Sequence, residues 1–102
     1  MRPTDATVRS LVAAINGNKR QDFLALLTPD ATMSDDGTDR DLHQWIDREI
    51  FDVNGRMEVL SESAGGRELI ARFRNDTWGE MRTSWRFDIQ GDKIQRLETG
   101  QA

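Results

Sequence analysis

Two adjacent carboxylates, Asp35 and Asp36, follow a short apolar segment and are the residues of this chain best suited to chemistry. A carboxylate that points into a partly desolvated pocket can serve as a general base. An aspartate in a turn more often binds nearby backbone N–H groups and caps the turn or the next helix. Asp35 is therefore a candidate catalytic base, and capping by Asp35 or Asp36 is the alternative.

The only histidine, His43, follows Leu42 at the edge of an apolar helical stripe. From that position it could reach the rim of a pocket and assist Asp35, or it could lie at the surface without a chemical role. The chain has no cysteine, which excludes disulfides and thiolate metal sites, and one histidine excludes a multi-histidine metal site within one chain. We expect no metal and no other cofactor.

Bulky side chains from residue 45 onward are candidates for the wall of a pocket that holds a flat, apolar ligand. The predicted ligand-binding residues are Trp45, Phe73, Met81, Thr83 and Trp85. The alternative is that the aromatic residues fill the core, which a 102-residue domain needs. Thr83 would then bond to a neighbouring carbonyl. Trp78 lies in a turn and is a candidate for a rim or dimer contact.

Helical spacing of apolar residues predicts three helices before residue 52. The first carries Val8 and Leu11, with Thr4 as its expected N-cap. The second begins near Asn18 and ends at Thr28–Pro29, because the residue before proline disfavours the helical region. Residues 31–34 are predicted as a short strand. A third helix is predicted from residue 38 to about residue 51, since Thr38 and Asp41 have the spacing of a capping box.

From Arg56 the apolar period changes to two, which predicts an antiparallel meander of four strands. Turn sequences at 64–66, 76–79 and 90–92 separate them, and the spacing of Ile94 and Leu97 predicts a bulge in the last strand. Helices grouped against one face of an antiparallel sheet make an α+β fold. We therefore predict one domain, residues 1–102, in which a strongly curved, cone-shaped antiparallel sheet wraps around the N-terminal helices.

The charge pattern constrains the partners of the chain. A net charge of −4 argues against nucleic-acid binding, and no apolar run is long enough to cross a membrane. The start of the chain has no apolar run typical of a signal peptide, so a cytoplasmic location is expected. Arginines and glutamates are interleaved on the predicted outer face of the sheet, which favours cross-strand ion pairs on a solvated or dimer-forming face. A small, polar domain with one sheet often pairs with a second copy, so we expect a homodimer through the sheet face.

The order of elements, with the block INGNKRQDFLALLTPDATMSDDG, resembles the nuclear transport factor 2-like superfamily. Within it, the chain is most similar to the SnoaL-like branch, which includes ketosteroid isomerases and polyketide cyclases. The resemblance extends over nearly the whole chain in layout and is sharpest over residues 11–37. It implies a cone with an internal pocket and dimerisation through the sheet.

The resemblance also implies roles for single residues. Ketosteroid isomerases have a segment similar to Asp30–Asp35, DATMSD, in which the position of Asp35 is the general base. Their oxyanion donors, a tyrosine and a protonated aspartic acid, fall at Leu11 and near Thr83, and this chain has no tyrosine. Losing one such donor typically costs about 10² to 10³ in rate, so steroid isomerisation is not expected.

Three functions are consistent with the sequence. The first is binding of a small hydrophobic molecule in the cone. The second is an isomerase, cyclase or lyase reaction with Asp35 as the base and His43 or Thr83 assisting. The third is a non-catalytic, dimeric interaction module whose cone is filled. An open cavity beside Asp35 would favour the first two.

Overall fold

We analysed a computed structural model, which describes residues 2–102. The helices are α1 (Ala6–Asn16), α2 (Arg20–Ala25) and α3 (Leu42–Ile46), and the strands are β1 (Leu27–Asp35), β2 (Thr38–Arg40), β3 (Arg56–Ser63), β4 (Glu68–Asn75), β5 (Gly79–Gln90) and β6 (Lys93–Gln101). A π-helical turn, Asp47–Phe51, continues α3. The predicted α+β architecture of helices packed against a curved sheet is confirmed.

The six strands form one sheet in the order β2-β1-β6-β5-β4-β3. Strands β3 to β6 are an antiparallel meander, as predicted. The sheet is nevertheless mixed, because β1 pairs in parallel with β6. A parallel pair needs a long connection between its strands, and α3 with the meander supplies one. The prediction of a purely antiparallel sheet is wrong at this pair.

Bulges curve the sheet. In the β5–β6 pair, Asp88 lies opposite Arg96 and Ile89 opposite Ile94, so Gln95 is the extra residue. This is the bulge that the sequence predicts in the last strand. A second register shift follows Val59 in β3. Because an extra residue bends its strand and increases its twist, these shifts help to wrap the sheet around the helices.

The helix starts differ from those predicted. The N-cap of α1 is Asp5 and not Thr4, since Asp5 accepts hydrogen bonds from the backbone N–H groups of Thr7 (2.9 Å) and Val8 (3.1 Å). The third helix begins only after Asp41, which caps it. Residues 38–40 instead form β2, because pairing with β1 satisfies their backbone groups. The second helix begins at residue 20, two residues later than predicted.

The core lies between the helices and the inner face of the sheet. Its fully buried side chains include Val8, Leu11, Ile15, Phe23, Met33, Ile46, Ile50, Leu69, Ile94 and Leu97. Phe23 and Phe51 meet edge to face with their ring centroids 5.5 Å apart. These residues alternate along the strands or recur at helical spacing, so burying them orients each element toward the same interior.

The outer face of the sheet is charged. Arg72 contacts Glu58 (3.0 Å) and Glu80 (3.6 Å), and all three side chains are exposed. Exposed ion pairs of this kind typically contribute less than about 1 kcal/mol each. Pairing of two copies through this face stays a prediction. Within residues 2–102, no helix is long and apolar enough to span a membrane, and no three His, Asp or Glu side chains cluster as metal ligands.

Glu62 of β3 accepts hydrogen bonds from the segment that precedes α1. The Thr4 hydroxyl and the Thr4 backbone N–H (2.9 Å) both donate to its carboxylate. These bonds, the hydroxyl first, hold the pKa of Glu62 below its ordinary value of 4.5. A lowered folded-state pKa means that the bonds stabilise the protein above the unfolded-state value, and that this stabilisation is lost as the pH falls through the folded-state value.

We therefore expect Glu62→Gln to destabilise the protein at pH 7 and to lose this difference from the wild type below pH 4.5. Melting temperatures of both proteins between pH 7 and pH 3 measure the effect. Glu68→Gln is the control, because Glu68 is exposed and its carboxylate accepts no hydrogen bond from residues 2–102. A difference between the wild type and Glu62→Gln that is constant with pH would contradict the assignment.

Candidate functional site

An open cavity of about 460 Å³ lies at one end of the curved sheet. Its lining consists of Asp35, Asp36, Arg40, Trp45, Arg48, Glu49, Phe73, Asn75, Trp78, Met81, Thr83, Trp85, Thr99 and Gln101. All three tryptophans of the chain are among them. Asp35 and the five residues predicted to bind a ligand therefore border one space, although their roles stay predictions.

Asp35 is the last residue of β1, and its parallel pairing with Thr99 of β6 aligns it with the cavity. Its side chain is half-buried, and Oδ2 accepts a hydrogen bond from the indole N–H of Trp45 at 3.0 Å. Among residues 2–102, no group donates to its other oxygen, Oδ1. Asp35 thus presents an unused carboxylate oxygen next to an aromatic wall.

The sequence left open that Asp35 or Asp36 caps the turn or the next helix, and in the structure the helix cap is Asp41. Asp36 lies in the β1–β2 turn with φ of 49°, and its Oδ1 accepts from the backbone N–H of Gln101 at 2.9 Å. Asp41 caps α3 through the backbone N–H of Gln44 at 3.0 Å. Asp35 performs neither task, since its one hydrogen bond within residues 2–102 is to an indole.

Aromatic rings form the buried wall. Trp45 and Trp85 meet edge to face with centroids 6.2 Å apart, and Phe73 lies tilted against Trp85 at 5.9 Å. Their side chains are at most 5% exposed. These rings belong to the core, and the small part of their surface that stays accessible lines the cavity. The two alternatives, core residue and pocket wall, therefore both apply to them.

Thr83 holds the orientation of Trp85. The Thr83 hydroxyl accepts from the Trp85 indole N–H at 2.8 Å and donates to the Ala71 carbonyl at 3.2 Å. A hydroxyl has one proton to donate, and here that proton is committed to the backbone. Thr83 borders the cavity but has no donor left for a ligand, which is the alternative that the sequence analysis raised.

Sequence reasoning missed the polar residues that brace the rim. Asn75 is buried, donates to the Glu49 carbonyl at 2.9 Å and accepts from the Trp78 backbone N–H at 2.7 Å. Trp78, 62% exposed, donates from its indole to Glu49 Oε2 at 3.1 Å. An Asn directly before a turn commonly bonds to the backbone of that turn, and the position of Asn75 before residues 76–79 could have identified this link.

The structure does not bring His43 to the cavity. His43 is exposed and lies beside a separate depression bordered by residues such as Leu24 and Pro29. It is two residues from Trp45 on α3, and residues two apart on a helix point to different sides. An assisting role for His43 beside Asp35 has no support from this placement. Leu11, at the isomerase tyrosine position, is fully buried in the core.

A second depression, of about 480 Å³, lies on the outer side of the sheet. Its lining includes Ser61, Ile70, Ser84 and Arg86, its one aromatic residue is Trp85, and Asp35 is not part of it. The inner cavity is the better candidate site, because it combines an aromatic wall with a carboxylate that has an oxygen free to accept a hydrogen bond.

Solved structures resemble the chain over nearly its whole length. A nuclear transport factor 2-like protein of unknown function from Cytophaga hutchinsonii matches with a TM-score of 0.77 and 14% identity, covering 97% of this chain and 89% of that one. A proposed polyketide cyclase from Sinorhizobium meliloti matches with a TM-score of 0.74 and 20% identity, covering 91% and 92%. A Δ5-3-ketosteroid isomerase from Mycobacterium sp. matches with a TM-score of 0.74 and 17% identity, covering 97% and 92%.

No protein-family model and no curated protein sequence matches the chain. Identities of 14% to 20% to the solved structures show a common fold and leave activity open. The family resemblance inferred from the sequence is thus supported by three-dimensional structure. The chain has the fold shared by nuclear transport factor 2-like proteins, ketosteroid isomerases and SnoaL-like polyketide cyclases.

Proposed function

We propose that this protein binds a small, largely apolar molecule in the cavity beside Asp35. The observation that carries the proposal is an open space of about 460 Å³ against the buried rings of Trp45, Phe73 and Trp85. Ligand sites are typically concavities of about 300 to 1,000 Å³ with apolar walls and a few polar groups. A filled cone acting only as an interaction module is less well supported, because the cone has this opening.

Proton abstraction by Asp35 is the alternative. Asp35 has the position and the free oxygen of a base, but abstraction next to a carbonyl also needs donors for the oxyanion that develops. At the positions that the resemblance implies for the two donors of ketosteroid isomerases, this chain has Leu11, which is buried, and a position near Thr83, whose hydroxyl already donates to a carbonyl. Binding without steroid isomerisation is therefore the function that the site supports best.

Titration with neutral aromatic and alicyclic alcohols, followed through the three indole N–H signals in NMR spectra, tests the proposal. We expect the Trp45 and Trp85 signals to shift. Met81→Trp should weaken binding by about tenfold or more, because the larger side chain takes up cavity space. Arg82→Trp is the matched control, since the next residue of β5 faces the opposite side of the sheet.

Two results would contradict the proposal. One is that no alcohol shifts an indole signal, and the other is that Met81→Trp and Arg82→Trp weaken binding equally. A Δ5-3-ketosteroid should not be isomerised above the buffer rate, and measurable isomerisation would favour the alternative in which Asp35 is a catalytic base.

A further inference from the structure

In the buried wall of the cavity, most hydrogen-bond donors are occupied by partners in the protein, whereas some acceptors have no donor within residues 2–102. This difference constrains the chemistry of the ligand. Four side-chain donors of that wall have no further proton to donate: the indole of Trp45 donates to Asp35, the indole of Trp85 to Thr83, and the hydroxyls of Thr83 and Thr99 to backbone carbonyls. The amide of Asn75 donates one of its two N–H groups to the Glu49 carbonyl. A carbonyl or carboxylate placed against the wall would therefore meet few donors that are free.

Acceptors, in contrast, remain available. Asp35 Oδ1 receives no hydrogen bond from residues 2–102 and borders the cavity. At the rim, the Glu49 carboxylate is approached within residues 2–102 only by the Trp78 indole at 3.1 Å and by a more distant Arg48 at 3.7 Å. A carboxylate oxygen in a partly buried site is stabilised most by a cation or by a strong donor.

The aromatic rings favour the same kind of ligand. The face of a tryptophan attracts a cation that lies within about 6 Å of the ring centroid, and tryptophan is the most effective side chain in this role. Trp45 and Trp85 border the cavity from the buried side, and Trp78 borders it from the rim beside Glu49. Several aromatic rings around one space are the usual arrangement for recognition of alkylated ammonium groups.

Two arginines also border the mouth and could instead attract an anion. Arg48 is 58% exposed and approaches Glu49, and Arg40 is exposed on β2. Both arginines are exposed, whereas Asp35 is half-buried and the rings of Trp45 and Trp85 are buried. The partly desolvated part of the cavity is thus selective for a positive group, because an interaction there is screened less by water.

We propose that the ligand of this cavity carries an organic ammonium group that binds between Asp35 and the tryptophan rings. This inference rests on the proposed function and adds the chemical class of the ligand. It is also opposite in sign to the chemistry of an oxyanion site, in which donors face a developing negative charge.

Three probes of nearly the same shape test the inference: choline, its neutral analogue 3,3-dimethyl-1-butanol, and the anionic analogue 3,3-dimethylbutanoate. We expect choline to bind about tenfold or more tightly than the alcohol, and the anion to bind most weakly, from the combined cation–π and carboxylate contributions. The affinities are measured by tryptophan fluorescence and by the shifts of the indole N–H signals.

Asp35→Asn identifies the residue responsible, because the amide oxygen can still accept from Trp45 while the charge is removed. We expect it to weaken choline binding by about tenfold and alcohol binding by a clearly smaller factor, because the alcohol carries no charge. Asp22→Asn is the matched control: it makes the same change in net charge at an exposed position of α2 outside the cavity, and choline affinity should not change.

The outcomes separate the two proposals. Equal or tighter binding of the alcohol or the anion overturns the ammonium inference and leaves small-molecule binding intact. Equal losses of choline and alcohol in Asp35→Asn also overturn it, since the effect would then not depend on charge. If choline fails to bind while the neutral alcohols of the preceding test bind, only the ammonium inference fails. If none of these molecules binds, both proposals fail.

Discussion

Trp85→Ala should destabilise this protein by about 3 to 5 kcal/mol, as is typical when a large buried aromatic side chain is truncated. Trp85 is 2% exposed and contacts both Trp45 and Phe73. Its loss would also leave the Thr83 hydroxyl without its indole donor. Native domains are stable by only about 5 to 15 kcal/mol, so the variant would retain a small margin or unfold at room temperature.

Urea unfolding followed by circular dichroism measures this effect, and Trp78→Ala is the matched control. Trp78 is 62% exposed, and its replacement should cost less than about 1 kcal/mol. The comparison decides how far Trp85 belongs to the core and how far to the cavity surface. Similar, small losses in both variants would mean that the ring of Trp85 faces solvent in the cavity and contributes little to packing.

Gly66→Ala should have the second largest effect, about 2 to 4 kcal/mol from strain and overlap together. Gly66 has φ of +89°, a conformation that residues with a side chain rarely adopt. A methyl group there would lie 2.7 Å from the backbone nitrogen of Asp5. Asp5 is the N-cap of α1, so relief of the overlap would displace the start of that helix.

The adjacent Gly65→Ala separates the two contributions. Gly65 also has a positive φ, +67°, but a methyl group there meets no atom within 4 Å. It should therefore cost only the conformational part, about 1 kcal/mol. Thermal unfolding of both variants measures the difference. Equal losses would show that the contact between the 64–66 turn and the start of α1 does not constrain the fold.

The sequence predicted the architecture well because local patterns specify it. Alternation along β5 and the turns around it determined which residues face inward, and the predicted bulge in β6 was confirmed. The parallel pairing of β1 with β6 was not predictable, since no local pattern in either strand states the direction of a partner more than sixty residues away. The start of α3 was missed because Thr38 and Asp41 suit a helix cap, whereas strand pairing takes residues 38–40.

The sequence predicted which side of the sheet the cavity residues lie on, but it did not predict the hydrogen bonds that they make. Period-two alternation places Met81, Thr83 and Trp85 on one side of β5, and all three border the cavity. Whether the Thr83 hydroxyl is free depends on the carbonyl of Ala71 in the neighbouring strand. The link from Asn75 to Glu49 likewise joins β4 to the π-helical turn, and it appears only when the chain is folded. His43 was misplaced because an apolar stripe does not specify which side of a short helix faces a pocket.

The parallel β1–β6 pair also bears on the order in which the molecule assembles. Asp35 meets Thr99 only after a loop of more than sixty residues has closed, and contacts so distant along a chain form slowly. The meander can organise through nearer neighbours, so we expect the carboxylate side of the pocket to form last. A molecule that binds there would select the fully assembled chain, so ligand in the refolding buffer should slow unfolding more than it speeds folding.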